Sequence, residues 1–217
     1  VDMLRIDHFR GFESYWAIPA DAQTAVKGSW VPGPGLAFFK HLNSVLGELN
    51  LIAEDLGIIT PAVEKLRAQA GLPGMKVLQF AFDGDSRNSF LPHAYRDTDF
   101  IVYTGTHDNN TTNGWFYGTE INDKTRAYVM DYIGTAGFSD FHWSMIRLAM
   151  QSTARMAIIP AQDVLGYGEE LRMNRPGTLD GRNWSWKLRA HALTEAHMQR
   201  LRRLASLYNR LPETSKS

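Results

Sequence analysis

The sequence predicts an α/β protein built on a parallel sheet, and three observations predict it. Short apolar runs alternate with segments of helical period. The runs are rich in Val, Ile, Leu and Phe with little period-two alternation, as in strands covered on both faces. Helical segments join successive runs, as crossover connections between parallel strands require.

The strands are expected at Met3–Asp7, Leu51–Glu54, Met75–Phe82, Asp99–Thr104 and Met156–Pro160. Phe39, Leu42, Leu46 and Leu49 fall on one side of a helix. Thr60-Pro61 reads as a helix start, a hydroxyl cap followed by a proline at the first helical position. Val63, Leu66 and Ala70 then face inward, and Gly71 stops the helix. A long helical stretch covers residues 123–154, broken near Gly134–Gly137, with Ser139 as the cap of its second half. The last helix sets Leu193, His197, Leu201, Leu204, Tyr208 and Leu211 on one side, and Arg200, Arg202 and Arg203 towards water.

Five strands do not close a (β/α)8 barrel. The sheet is therefore either an open doubly wound one or the back of a barrel whose first strands are missing from this chain. The chain opens almost inside a strand, which favours the C-terminal portion of a TIM barrel. That portion is expected to occupy residues 1–211, with 212–217 as a frayed tail.

Composition removes several classes. At 217 residues, 44% hydrophobic and 21% charged, the chain is not a disordered segment. Lys+Arg and Asp+Glu are both 23, so no basic nucleic-acid footprint is expected. Cys is absent, which removes disulfides, thiolate nucleophiles and Cys-based metal sites. No apolar run reaches the roughly 18 residues of a membrane helix. The chain opens at Val1, so a leader cannot be judged, but zero Cys fits a cytoplasmic protein. His-x-His and His-Glu-x-x-His spacings are missing, so a metal-dependent hydrolase using Asp7, His8, His107 and Asp108 is a remote alternative. No cofactor is expected.

In parallel α/β folds functional groups gather beyond the carboxyl ends of the strands. The first strand ends in Arg5-Ile6-Asp7, which puts Arg5 and Asp7 on one side. They form either a structural ion pair or a carboxylate nucleophile beside a guanidinium. The second strand ends in Glu54, either a solvated acid or a general acid kept protonated by an apolar pocket. The fourth runs into His107-Asp108-Asn109, either a polar turn or a third carboxylate with a His donor. Each carboxylate sits just past a separate apolar run, and the gaps between them admit strand–helix passages. All three can therefore converge at one barrel mouth. One nucleophile and one acid/base flanking a glycosidic bond is the chemistry of retaining glycosidases. Of the aromatic candidates for sugar stacking (Trp30, Trp115, Phe116, Tyr15 and Phe12), Trp115 follows the His107-Asp108 loop most closely. Trp184 and Trp186 read as packing for the last helix.

Arg5-Ile6-Asp7-His8-Phe9-Arg10-Gly11, Ala53-Glu54-Asp55-Leu56-Gly57 and His107-Asp108-Asn109 resemble, in that order, the catalytic motifs of the α-amylase clan. Trp30-Val31-Pro32-Gly33-Pro34-Gly35, Gly74-Met75-Lys76-Val77-Leu78-Gln79-Phe80, Arg172-Met173-Asn174-Arg175-Pro176-Gly177 and Asn183-Trp184 narrow this. They resemble the 4-α-glucanotransferases (amylomaltases) of glycoside hydrolase family 77. The resemblance runs to about Trp186. It implies a (β/α)8 barrel and double displacement, with Asp7 as nucleophile, Glu54 as acid/base and Asp108 as transition-state stabiliser. Arg5 and His107 match flanking polar residues that hold the nucleophile and the sugar ring, and Asn174 lies in a loop that approaches the family's active site. The implied partners are α-1,4-glucans, maltooligosaccharides and the missing N-terminal part of the same enzyme. An α-amylase-like hydrolase and a non-catalytic carbohydrate-binding fragment are the alternatives.

Overall fold

The computed structural model describes residues 1–134, 139–179 and 181–212. The chain divides into two compact units, Val1–Met75 with Asp99–Ile101, and Lys76–Thr98 with Val102–Ser217.

In the first unit, β1 (Leu4–Ile6) pairs in parallel with β4 (Leu51–Ala53), Leu4 opposite Leu51 and Ile6 opposite Ala53. Between them lie β2 (Ser14–Ala17), β3 (Ser29–Pro32) and α1 (Gly35–Leu46). Strand β4 is buried throughout, and Ala53 N–H donates to the Pro73 carbonyl at 2.9 Å. Phe9, Phe39, Leu51, Ala53, Val63, Leu66 and Leu72 form the core, with Leu42 and Leu49 packed against it. The apolar face of α1 outruns that core, so Leu46, expected inward, is exposed. Helix α2 (Pro61–Gln69) starts as expected: Thr60 Oγ1 accepts from Val63 N–H, and Gly71 follows its end with φ +69°.

The antiparallel pair β2–β3 was not expected from the sequence. Its strands are short and flanked by turn residues, and its cross-strand partners Trp16 and Trp30 lie 14 residues apart (30 − 16). Gly28 is needed there, because a Cβ would fall 2.7 Å from the Trp16 ring.

Three strands, β5 (Gly74–Val77), β6 (Phe100–Tyr103) and β7 (Met156–Ile158), form a sheet in the order β5-β6-β7. Gly74 N–H donates to the Asp99 carbonyl and Arg155 N–H to the Thr98 carbonyl, both at 3.1 Å. The run Met75–Phe82 is only partly strand, since residues 78–80 turn into a 3-10 helix. Two-sided cover holds for β4 and β6 but not for Leu4, Met156 and Ile158, which are exposed. Both β1 and β7 are edge strands among the described residues, with a partner on one side only.

The second unit adds α3 (Thr112–Tyr117), α4 (Asp123–Ile133), α5 (Phe141–Met150), α6 (Ala161–Val164) and α7 (Glu195–Leu207). The Asn122 side chain caps α4, and Gly134 ends it in the left-handed conformation at φ +72°. The rest of the expected break, including Gly137, lies outside the described residues. The residue before α5 is Asp140, not Ser139, and α5 ends at Met150, short of residue 154. The Phe141 ring stacks on Phe116 with centroids 3.7 Å apart. In α7, Leu204 packs on Trp143, Ile146 and Val164, and Leu193, Leu201 and Tyr208 flank it. The His197 ring instead caps the helix, accepting from Thr194 N–H at 3.1 Å, and Leu211 is exposed. Arg200 does not simply face water: it covers the Trp143 ring and pairs with Asp140 at 3.0 Å. Residues 213–217 of the expected tail lie outside the described residues.

Candidate active site

The first unit brings Arg5, Asp7 and Glu54 together. Parallel pairing of β1 with β4 ends both strands at one edge, and the backbone continues the ladder beyond them. Glu54 N–H donates to the Ile6 carbonyl at 2.9 Å, and Phe9 N–H donates to the Glu54 carbonyl at 3.0 Å. Arg5 Nη1 lies 2.9 Å from Asp7 Oδ1, and Arg5 Nε donates to Met75 Sδ at 3.4 Å. The Asp7 carboxylate is 77% exposed, so a ligand can reach it.

Glu54 sits differently. It is half-buried, and burial pushes its carboxyl above the ordinary value of 4.5. The backbone N–H groups of His8 (2.7 Å) and Leu56 (3.0 Å) and the charge of Arg5 oppose that rise, while Asp7 adds to it. His8 takes the left-handed conformation, φ 48° and ψ 50°, which lets the chain turn sharply after Asp7. Asp55, the neighbour of Glu54, is structural. It accepts Met75 N–H at 2.7 Å and lies 3.2 Å from Arg67 Nε, and Gly74 leaves room for its carboxylate.

The second unit brings His107, Asp108 and Asn174 together. The loop after β6 is pinned at both ends. The Asn109 side chain accepts from Thr106 N–H and Oγ1, each at 2.9 Å, and the Thr111 hydroxyl caps α3 through Gly114 N–H at 3.0 Å. Asp163 is buried behind it, with its pKa raised by burial, and it accepts from the Thr104 hydroxyl and from Thr112 N–H at 2.7 Å. Asn174 Nδ2 donates to Asp108 Oδ1 at 2.7 Å, and Asn174 N–H donates to the His107 carbonyl at 3.1 Å. His107 Nε2 lies 3.4 Å from Asp108 Oδ2. A cavity of about 140 Å³ opens beside this group, lined by Thr106, His107, Asn110, Gln162, Asp163 and Arg172.

Two aromatic assignments change places. Trp115 is only 4% exposed, and its ring packs among Phe82 and Phe116, so it offers no open stacking face. The cause is α3, a short helix not expected from the sequence, which turns Trp115 into the core. Trp184, read as packing for the last helix, is 61% exposed and lies against His107, with ring centroids 5.1 Å apart. Its φ of +61° is rare for a bulky side chain. Trp30 and Tyr15 are also exposed, with the Arg10 guanidinium 4.1 Å from the Trp30 ring centroid. Arg172, part of a family motif but given no role from the sequence, and Glu120, not singled out there, pair at 2.9 Å. The one available signal was the position of Arg172 two residues before Asn174.

Among the described residues, no group of three His, Asp or Glu side chains is gathered closely enough to hold a metal ion, and no helix is long and apolar enough to cross a membrane.

Comparison with known proteins agrees with the motifs. The 4-alpha-glucanotransferase family, glycoside hydrolase family 77, matches residues 1–194. The 4-alpha-glucanotransferase of Synechocystis is 49% identical over 211 residues, covering 97% of this chain and 41% of that protein. The 4-alpha-glucanotransferase of Thermus thermophilus is 49% identical over 215 residues, covering 96% of this chain and 42% of that protein. Among solved structures, the amylomaltase of Streptococcus agalactiae in complex with acarbose superposes with a TM-score of 0.90 at 39% identity. It covers 97% of this chain and 42% of that one. The chain thus spans about two-fifths of the length of these relatives, at 41% and 42%. From the match over residues 1–194 and these identities, the chain belongs to the 4-alpha-glucanotransferase family.

Proposed function

We propose that this chain carries the catalytic carboxylates of a 4-α-glucanotransferase that moves α-1,4-glucan segments between maltooligosaccharides with retention of configuration. One observation carries the reading. An exposed, Arg-paired Asp7 and a half-buried Glu54 of raised pKa stand at the ends of paired strands. Two carboxyls in contrasting environments are what a nucleophile and a proton donor need. In this reading the strands are part of a (β/α)8 barrel whose remaining strands lie outside these 217 residues. The relatives' greater length and the exposed apolar residues of β1 and β7 support it.

Asp7 attacks the anomeric carbon while Glu54 protonates the departing glycosidic oxygen. The glucan becomes covalently bound to Asp7, and the shortened chain leaves. Glu54, now ionised, accepts the proton of an incoming 4-OH, whose oxygen displaces Asp7. Asp108 accepts hydrogen bonds from ring hydroxyls that strengthen as oxocarbenium character develops, worth a few kcal/mol in such enzymes. Asn174 aims that carboxylate, and Arg5 and His107 hold the nucleophile and the sugar. The complex of the Streptococcus agalactiae relative with acarbose supports an α-glucan ligand.

The test is product analysis with maltotriose and the intact enzyme containing this chain. Transfer yields glucose and longer chains at a nearly constant number of reducing ends. A steady rise in reducing ends would identify a hydrolase instead. Asp7→Asn and Glu54→Gln are each expected to lower kcat by several orders of magnitude while glucan binding persists.

A further inference from the structure

We infer that Arg172 is a positioning residue that holds Asp108 and Asn174 in the relation their side-chain hydrogen bond requires. The content of this inference is geometric, and its assay rests on the proposed function.

Arg172 uses all three guanidinium nitrogens. Nη2 donates to the Asp108 carbonyl at 2.7 Å, Nε to the Asn174 carbonyl at 2.8 Å, and Nη1 to Glu120 Oε1 at 2.9 Å. Glu120 Oε1 also accepts from Asn110 Nδ2 at 2.9 Å. One rigid, planar group therefore fixes three acceptors from three separate stretches of chain. Two of those acceptors are the backbone carbonyls of Asp108 and Asn174 themselves. Fixing both main chains sets the side-chain contact between them. Backbone bonding alone does less, because Asn174 N–H reaches His107 and leaves rotation about that bond open. The Arg172 side chain is mostly buried, and the Glu120 carboxylate pairs with its charge. Lysine, a point donor on a flexible stem, cannot span the three acceptors.

The experiment uses the intact enzyme with maltotriose and compares R172M, R172K, E120Q, N174A and the R172M/N174A double variant. Loss of alignment by about 1 Å can cost roughly 100-fold in rate. We expect R172M to lower kcat by about 10- to 100-fold with little change in KM, and R172K to recover little of it. Because Arg172 acts partly through Asn174, the double variant should lose less than the product of the two single losses. Multiplying losses would overturn the inference, as would wild-type kcat in R172M or full recovery in R172K. A purely structural Arg172 would lower the melting temperature and leave kcat per folded molecule intact, which also overturns it. If R172M does not fold, E120Q decides. It should lower kcat in the same sense by a smaller factor, and wild-type kcat in folded E120Q would refute the clamp.

Discussion

Glu54 Oε2 accepts the backbone N–H of His8 at 2.7 Å, and His8 is the residue immediately after Asp7. The two carboxyls proposed as nucleophile and acid/base are thus tied to one short stretch of backbone. That amide, the Leu56 amide and Arg5 restrain the Glu54 pKa, which burial first and Asp7 last push upward.

The first prediction concerns pH. Glu54 stays protonated to higher pH than an ordinary Glu, so in the proposed mechanism the proton donor is lost only as pH rises through its elevated pKa. The alkaline limb of kcat/KM is expected from Glu54, displaced upward from 4.5, and Glu54→Gln should abolish that limb. The folded state binds this proton more tightly than the unfolded chain does. The contribution of Glu54 to stability is therefore present below 4.5 and falls as pH rises from 4.5 through the folded value. A donor with a fluoride leaving group needs little protonation, so E54Q should retain far more of its first step on α-maltosyl fluoride than on maltotriose. Pre-steady-state fluoride release measures this.

The second concerns the support under Glu54. Asp55 and Arg67 are both largely buried, and Asp55 also holds Met75 N–H. Removing one partner of such a pair typically costs about 3–5 kcal/mol. Asp55→Ala should approach that loss. Gly74→Ala, which drives a methyl into the Asp55 carboxylate, should cost about 1–3 kcal/mol. Guanidinium unfolding midpoints check both, and a Gly74→Ala protein of unchanged midpoint would contradict the close approach.

Trp184 gives the third. Its ring lies on His107 and is mainly exposed, so Trp184→Ala should change stability by less than about 1 kcal/mol. It should lower kcat/KM for maltotriose by about 10-fold, because an aromatic face beside His107 is lost. Trp115→Ala should do the reverse, costing about 3–5 kcal/mol of stability through the cavity it leaves. Thermal melts and steady-state kinetics of the two variants separate the roles.

The fourth concerns the 217 residues alone. Leu4, Val45, Leu46, Met156 and Ile158 are exposed apolar side chains, and β1 and β7 present edges. Such surfaces favour association. We expect the purified chain to elute as oligomers and to show no transfer with maltotriose. A monodisperse, active monomer by light scattering would contradict this.

The strands were legible because apolar, β-branched runs are local properties of the chain, and all five appear, each shorter than expected. The positions of Asp7, Glu54 and Asp108 were legible as polar residues that end such runs. The hairpin β2–β3 was not, because two short strands stabilise each other only across their turn. Trp115 and Trp184 were misread for a related reason. Proximity in sequence to His107-Asp108 favoured Trp115, whereas contact with His107 belongs to Trp184, 77 positions away (184 − 107).

The sequence by itself determined the family, the α/β periodicity and the carboxylates available for chemistry, because motifs and hydrophobic period are properties of neighbours along the chain. Only the tertiary structure decided that Glu54 is half-buried against His8, and that Asn174 and Arg172 fix Asp108. It also decided that Trp184, rather than Trp115, presents an exposed ring. Those facts depend on groups as many as 66 residues apart meeting at hydrogen-bond distance. Desolvation and hydrogen-bond geometry are set by such meetings, not by the order of the letters.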